Sequence, residues 1–307
     1  MSKNFWLSFS EKIMGLAPMD GYSDSAFRQV CKRVNPKIVT YTEFTSADGL
    51  FHNAKSVKKK LAFDSSEQPL VAQIFGKNIE TFIAAAKLCQ DMGFIGIDLN
   101  MGCPAKKVVR SEHGVALRKN HDLACRLVEA VAKNTCLPVS VKTRLGWSDD
   151  ADLIPFSKAV QNAGANMICI HARTYTNPYK VPAYWDPVYE MKKEVNIPVL
   201  GNGGLIDIND GIKKCQNLDG FLIGQATFGN PWVFSSKPLI SQSEKKELIL
   251  FHAEKLVETK GQLIGCREFR KHFLSYTKGF EGAKSLRRQI CQISSLQDVH
   301  QVLENFS

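Results

Sequence analysis

The chain has 307 residues, 44% of them hydrophobic, enough for one large barrel-type domain with an appendage or for two ordinary domains. A formal charge of +10 makes a polyanionic partner an open option, while nine scattered cysteines with no C-x-x-C pair argue against a disulfide framework or a zinc knuckle. The opening MSKNFWLSFSEK has no basic segment leading into an apolar one, and no apolar run approaches the roughly 20 residues that span a bilayer, so a soluble cytoplasmic protein without a membrane partner is expected.

Eight short apolar segments rich in β-branched residues follow in order: IMGLAPM (13–19), IVTYTEF (38–44), PLVAQIF (69–75), IGIDLNM (95–101), PVSVKTR (138–144), NMICIHA (166–172), IPVLGNG (197–203) and GFLIGQA (220–226). Their continuous hydrophobicity is that of strands buried on both faces, as in a parallel sheet. Amphipathic stretches separate most of them, such as NIETFIAAAKLCQDMG over 78–93, with apolar residues at three and four spacing and a glycine stop. Eight β-α units in about 225 residues predict an α/β protein built on a TIM barrel, with a doubly wound sheet as the rival. Polar or reactive residues gather where the strands end: Met19 with Asp20, Glu43, Gln73, Asn100 with Cys103, Lys142 with Arg144, His171 with Arg173, and Asn202. In a barrel these ends converge on one mouth.

Beyond Ser241 the strand-like runs give way to helical patterns in EKKELILFHAEKLVETKG, REFRKHFLSYTKGF and AKSLRRQICQI. SSKPLISQS (235–243) reads as a linker, so a barrel domain over 1–240 and a helical domain over 241–307 are expected. Residues 245–288 carry eleven Lys and Arg against five Glu, a net charge of +6.

DLNMGCPAKKVVR (98–110) sets Cys103 in a turn between Gly102 and Pro104, ahead of Lys106, Lys107 and Arg110. A hydrolytic nucleophile needs a base and an oxyanion donor that no neighbouring signature supplies. A thiol with an ordinary pKa near 8.5 stays protonated at neutral pH and suits a general acid better. Lys142 and Arg144 fall on one face of a strand, where a barrel interior tolerates two cations only near a wet mouth or beside an anion. A flavin meets that need, since its reduced ring carries negative charge. The glycine turns GNGG (201–204) and IGQATFG (223–229), at the seventh and eighth strand ends, suit a phosphate. No metal-ligand pattern and no G-x-G-x-x-G is present, so neither a metal nor a stably bound Rossmann-type nicotinamide is expected.

In order along the chain, APMDGYSDSAFR, DLNMGCPAKKV, VKTRLGW, IHART, GNGG and IGQATFGNPWVF resemble the motifs of the tRNA-dihydrouridine synthases over about 220 residues, and RKHFLSYTKGFEGAKSLR (270–287) resembles that family's helical RNA-binding domain. The resemblance implies a TIM barrel holding FMN, reduced by NADPH, that adds hydride to C6 of a tRNA uridine while Cys103 protonates C5. By position it assigns Pro18, Met19, Gln73, Lys142, His171, Asn202, Gly203, Gly204, Gly224 and Gln225 to FMN, and Asn100 and Arg144 to the uracil. Lys106, Lys107 and Arg110, with Arg270, Lys271 and Arg287 of the helical domain, fall to tRNA phosphates, and the protein is expected to be a monomer. Three positions depart from the pattern: Gly204 where the family often has aspartate, Gln225 where arginine is usual, and Tyr175 where a second arginine is common. A dihydroorotate dehydrogenase-like FMN oxidoreductase and a non-catalytic RNA-binding protein on an FMN barrel are the alternatives.

Overall fold

The computed structural model describes residues 4–177, 181–278 and 283–304. Each of the eight expected segments contains a strand: β1 (Ile13–Leu16), β2 (Thr40–Tyr41), β3 (Leu70–Phe75), β4 (Gly96–Met101), β5 (Val139–Arg144), β6 (Met167–His171), β7 (Val199–Asn202) and β8 (Gly220–Ile223). All pair in parallel in the spatial order β1-β8-β7-β6-β5-β4-β3-β2, and a further short strand, Thr45–Ser46, adds to the end of β3. The ring closes where Gly15 meets Val39, with Leu16 N–H donating to the Val39 carbonyl at 2.9 Å and Val39 N–H to that of Met14 at 2.8 Å. Only glycine fits there, because a Cβ on residue 15 would stand 2.8 Å from the Val39 carbonyl oxygen and 2.6 Å from Leu222. The architecture is the TIM barrel that the β-α period predicts; a doubly wound sheet would leave two open edges instead.

The described residues group into two compact units, Met1–Asp24 with Lys37–Gly224 and Ser25–Pro36 with Gln225–Ser307. In the first, the helix expected over 78–93 runs Ile79–Asp91, its first turn capped by the Asn78 side chain, which accepts from Glu80 N–H. The lower interior of the barrel is apolar: Ile13, Val39, Tyr41, Val71, Met167, Cys169, Leu200 and Leu222 pack with Trp6, which belongs to the short helical turn Phe5–Leu7. Trp6 stacks on Tyr41 with ring centroids 6.3 Å apart.

In the second unit the helix Ser25–Val34 joins the helices Gln242–Lys260, Gln262–Tyr276, Ala283–Ile290 and Leu296–Glu304. Ala26, Ala253, Phe269, Phe273, Ile290 and Val299 are among the side chains of its core. Ser241 and Glu244 form a reciprocal cap at the start of the longest of these helices. Glu281 and the stretch 279–282 of the RKHFLSYTKGFEGAKSLR motif lie outside the described residues. No helix among the described residues is long and apolar enough to cross a membrane.

Candidate active site

Strand alternation decides what faces the barrel mouth. Residues two apart on one strand share a face, so β5 sends Ser140, Lys142 and Arg144 inward, beside Asp98 and Asn100 of β4. The neighbouring strands bring Cys169 and His171 of β6 and Asn202 of β7 into register with them.

Cys103, two residues past β4, is half-buried. Its turn is tied at several points: Asn100 Oδ1 accepts from the N–H groups of Gly102 (3.2 Å) and Cys103 (2.9 Å), Val115 N–H donates to the Cys103 carbonyl (3.2 Å), and Arg144 Nε donates to that of Gly102 (2.9 Å). Gly114, in the left-handed region at φ +61, lets the following loop press against the cysteine, since a Cβ there would lie 2.8 Å from the Cys103 carbonyl oxygen. Burial pushes the Cys103 thiol above its ordinary value and Asp20 adds to it, outweighing the Ala105 N–H and the cations Arg144 and Lys142. At neutral pH the group is a thiol with a proton to give.

Lys142 donates from Nζ to Asn202 Oδ1 at 3.0 Å, and Asn202 Nδ2 donates to the Leu222 carbonyl at 2.8 Å. Burial, with Arg144 nearby, lowers the Lys142 ammonium from its usual range. His171 is held well below the usual imidazole value, first by burial and then by Lys142, Arg144 and Arg173, so its ring is neutral at pH 7. Its Nε2 lies 3.2 Å from Arg173 Nη1. Gly203 and Gly204, at φ +113 and +70, turn the chain out of β7, and a Cβ at 203 would crowd His171 Cδ2 at 2.9 Å. Pro18 and Met19 follow β1, half-buried, with Met19 N–H bonded to Ser23 Oγ at 2.8 Å; Gly224 follows β8, where a Cβ would meet Met19 Sδ at 3.6 Å.

Of the residues singled out in the sequence, Gln73, Asn100, Cys103, Lys142, Arg144, His171, Asn202 and Gly203 are therefore brought together at the strand ends. Arg144 is 2% exposed, and it gives Nη1 to the Thr174 carbonyl (3.2 Å) besides its bond to Gly102. Lys106, Lys107 and Arg110 are exposed on the short helix Lys106–Arg110 that follows the cysteine turn. Gln225 belongs to the second unit and opens the exposed end of the turn Gln225–Thr227. In that unit Arg270 is half-buried and bonded to the Ile293 carbonyl through both Nε (2.9 Å) and Nη2 (2.6 Å), Lys271 is half-buried, and Arg287 is exposed.

Two polar groups below the mouth carry no role in the sequence reading. Asp98 and Ser140 are fully buried and bonded to each other, Ser140 Oγ to Asp98 Oδ1 at 2.6 Å, while Asp98 Oδ2 accepts from Gln73 Nε2 at 2.7 Å. Burial raises the Asp98 carboxyl to about 6 in spite of both donors and Lys142. The signal was the alternation itself, which puts Ser140 on the face of Lys142 and Asp98 on that of Asn100.

A family model of dihydrouridine synthase (Dus) matches residues 15–307. A probable tRNA-dihydrouridine synthase of Rickettsia prowazekii is 31% identical over 95% of this chain and 92% of its own length, and probable tRNA-dihydrouridine synthase 2 of Bacillus subtilis is 33% identical over 100% and 97%. Among solved structures, a variant of NCR from Zymomonas mobilis shares the fold with TM-score 0.51 and 12% identity, covering 76% of this chain and 90% of that one. With a family match across nearly the whole chain, and relatives of this identity matched almost end to end, the chain belongs to the dihydrouridine synthase family and is an oxidoreductase.

Proposed function

We propose that this protein reduces the C5–C6 double bond of uridines in tRNA, with FMN as the bound cofactor and NADPH as its reductant, and with Cys103 as the acid that protonates C5. The observation that carries the reading is the Cys103 turn at the end of β4, fixed by Asn100 and Arg144 at the strand ends that also carry Lys142. When bound, FMN supplies the hydride that C6 receives. The residues present fit it: Lys142, hydrogen-bonded to Asn202, offers positive charge to an electron-rich ring edge, and the left-handed Gly203 and Gly204 offer backbone N–H groups to a phosphate. Pro18, Met19, Gln73, His171 and Gly224 complete the proposed cofactor set, with Gln225 next in the chain.

Cys103 keeps its proton until a carbanion develops at C5, because burial disfavours the free thiolate. Asn100 and Arg144 hold the turn that aims the thiol and are the residues proposed to meet the uracil. Such a base must leave its stack to reach a half-buried thiol, and the exposed Lys106, Lys107 and Arg110 suit the phosphates on either side of it. In the helical unit, exposed Arg287 serves the tRNA reading, with Lys271 and Arg270 beside it in the proposal; a domain division near residue 240 belongs to the same reading. The names of the Rickettsia and Bacillus relatives support tRNA as the substrate.

The test is purification followed by turnover. The folded protein should show the absorbance bands of oxidised flavin and convert uridine to dihydrouridine in unmodified tRNA when NADPH is added, read by nucleoside mass spectrometry. Folded protein that stays colourless and takes up no FMN, or flavin-loaded protein that leaves tRNA uridine unchanged, overturns the proposal.

A further inference from the structure

We infer that Asp98 is a positioning residue: it sets the direction in which the buried amides of Gln73 and Asn100 point, and through them it holds the Cys103 turn.

The four groups form a chain with one consistent direction. Asn100 Oδ1 accepts from the Gly102 and Cys103 N–H groups, Asn100 Nδ2 donates to Gln73 Oε1 (2.9 Å), and Gln73 Nε2 donates to Asp98 Oδ2 (2.7 Å). Ser140 occupies the other carboxylate oxygen, and Gln73 N–H is separately fixed to Thr42 Oγ1 (2.9 Å). An amide side chain has almost the same shape when its oxygen and nitrogen change places, so packing alone cannot choose between the two orientations. Flipping both amides here would aim the Asn100 NH₂ at two backbone N–H donors and release the turn. A carboxylate only accepts, so it admits only the NH₂ of Gln73, which turns the Gln73 oxygen to Asn100 and the Asn100 oxygen to the turn. Gln73 and Asp98 are fully buried and Asn100 is 8% exposed, so mismatched groups would be deprived of bulk water. This also accounts for a carboxylate kept in the barrel interior, where a hydrophobic side chain would cost less.

The bearing of this chain on catalysis rests on the proposed role of Cys103; the direction of the hydrogen bonds does not. The experiment therefore reads the turn and not turnover, by amide hydrogen exchange of Gly102 and Cys103, and by iodoacetamide alkylation of Cys103 with the exposed Cys136 and Cys291 as internal references. In Asn100→Asp, at a pH that keeps both carboxyls ionised, an acceptor faces the Gln73 oxygen, and exchange protection of the turn should fall about tenfold, the scale of one lost buried hydrogen bond, with Cys103 alkylated faster than in wild type when each is scaled to the references. Adding Asp98→Asn makes the whole chain consistent in the opposite direction: the carboxylate at 100 accepts from both the turn and Gln73 NH₂, and the amide at 98 donates to Gln73 and accepts from Ser140. The double variant should return protection to within about threefold of wild type. If Asn100→Asp does not fold and the double variant does, that too is the rescue. A double variant no better than Asn100→Asp, whether by exchange or by failure to fold, overturns the assignment.

Discussion

At the lower end of the barrel Tyr41, Val71, Cys169, Leu200 and Leu222 fill the interior above Trp6, whereas two residues further along several of the same strands stand Gln73, His171 and Asn202, with Asn100 and Lys142 beside them. Along these strands the two ends differ in their side chains. Below, burial of apolar area stabilises the ring at about 25 cal/mol per Å². Above, burial works against the charged forms of four groups: it raises the Cys103 thiol and the Asp98 carboxyl and lowers the Lys142 ammonium and His171. One end holds the fold and the other is held by it, so substitutions at the two ends should separate stability from chemistry.

The largest effect is expected at Cys103. Cys103→Ala should slow uridine reduction by about 10² to 10⁴, the worth of a positioned general acid, and leave flavin reduction by NADPH close to wild type. Rapid-mixing measurement of the two half-reactions checks this; equal loss in both would move Cys103 from proton donor to structural element. At the other end Trp6→Ala should cost about 3–5 kcal/mol of unfolding free energy, because a fully buried indole leaves a cavity beneath Tyr41. Denaturant unfolding gives that number, and the alkylation rate of Cys103 in the folded variant should not change.

Much of this contrast was legible in the sequence. The strands announced themselves because a strand covered on both faces must be apolar throughout, and the mouth because polar residues such as Asn100, Lys142 and Asn202 interrupt that pattern only at strand ends. The plug was not legible: Phe5 and Trp6 sit in the stretch before β1 with no period of its own, and only closure of the ring gives them an interior to fill. Asp98 could be seen as the carboxylate nearest Cys103, but its partners Gln73 and Ser140 lie 25 and 42 residues away and meet it through strand register. In the second unit, the contribution of Ser25–Val34 to the helical core and the bond of Arg270 to the Ile293 carbonyl depend on packing that charge counting does not see. Arg287 is therefore the better residue for a charge-removal test of tRNA binding, since Arg270→Ala also breaks a bond within the unit.

Asp98 stands where the two ends meet, beside Gln73 and Ser140 in register and one strand from Met167. Its folded pKa of about 6 lies above the ordinary 3.8, so the folded state takes up the proton first and the carboxyl favours folding most when protonated. The contribution is fully present below about pH 4 and is lost as pH rises through 6, a fall of about 3 kcal/mol at most for a shift of this size. Asp98→Asn removes this titration, so the difference in stability between variant and wild type should move in favour of the variant between pH 4 and 7. Urea unfolding at several pH values across that window checks it; a constant difference would mean the carboxyl does not titrate there.

The smallest expected effect has the sharpest sign. Lys142 carries a cation that burial disfavours, and its folded pKa lies below the unfolded one, so the charged ammonium opposes folding at every pH below its folded pKa and ceases to do so once deprotonated. Lys142→Met keeps the length of the side chain, removes that cost, and leaves Asn202 Oδ1 without its Nζ donor. The lost hydrogen bond costs about 1 kcal/mol and relief of the desolvated charge opposes that cost, so flavin-free Lys142→Met should be at least as stable as wild type at pH 7. Any advantage should shrink as pH rises toward 10, where the wild-type lysine loses its proton without the variant. Flavin retention should move the other way, weakening at least about tenfold with loss of the charge proposed to face the reduced ring. Stability and flavin affinity measured on the same preparation decide it. If both fell together, Lys142 would belong with the residues that hold the barrel, and the division between its two ends would be drawn one layer too low.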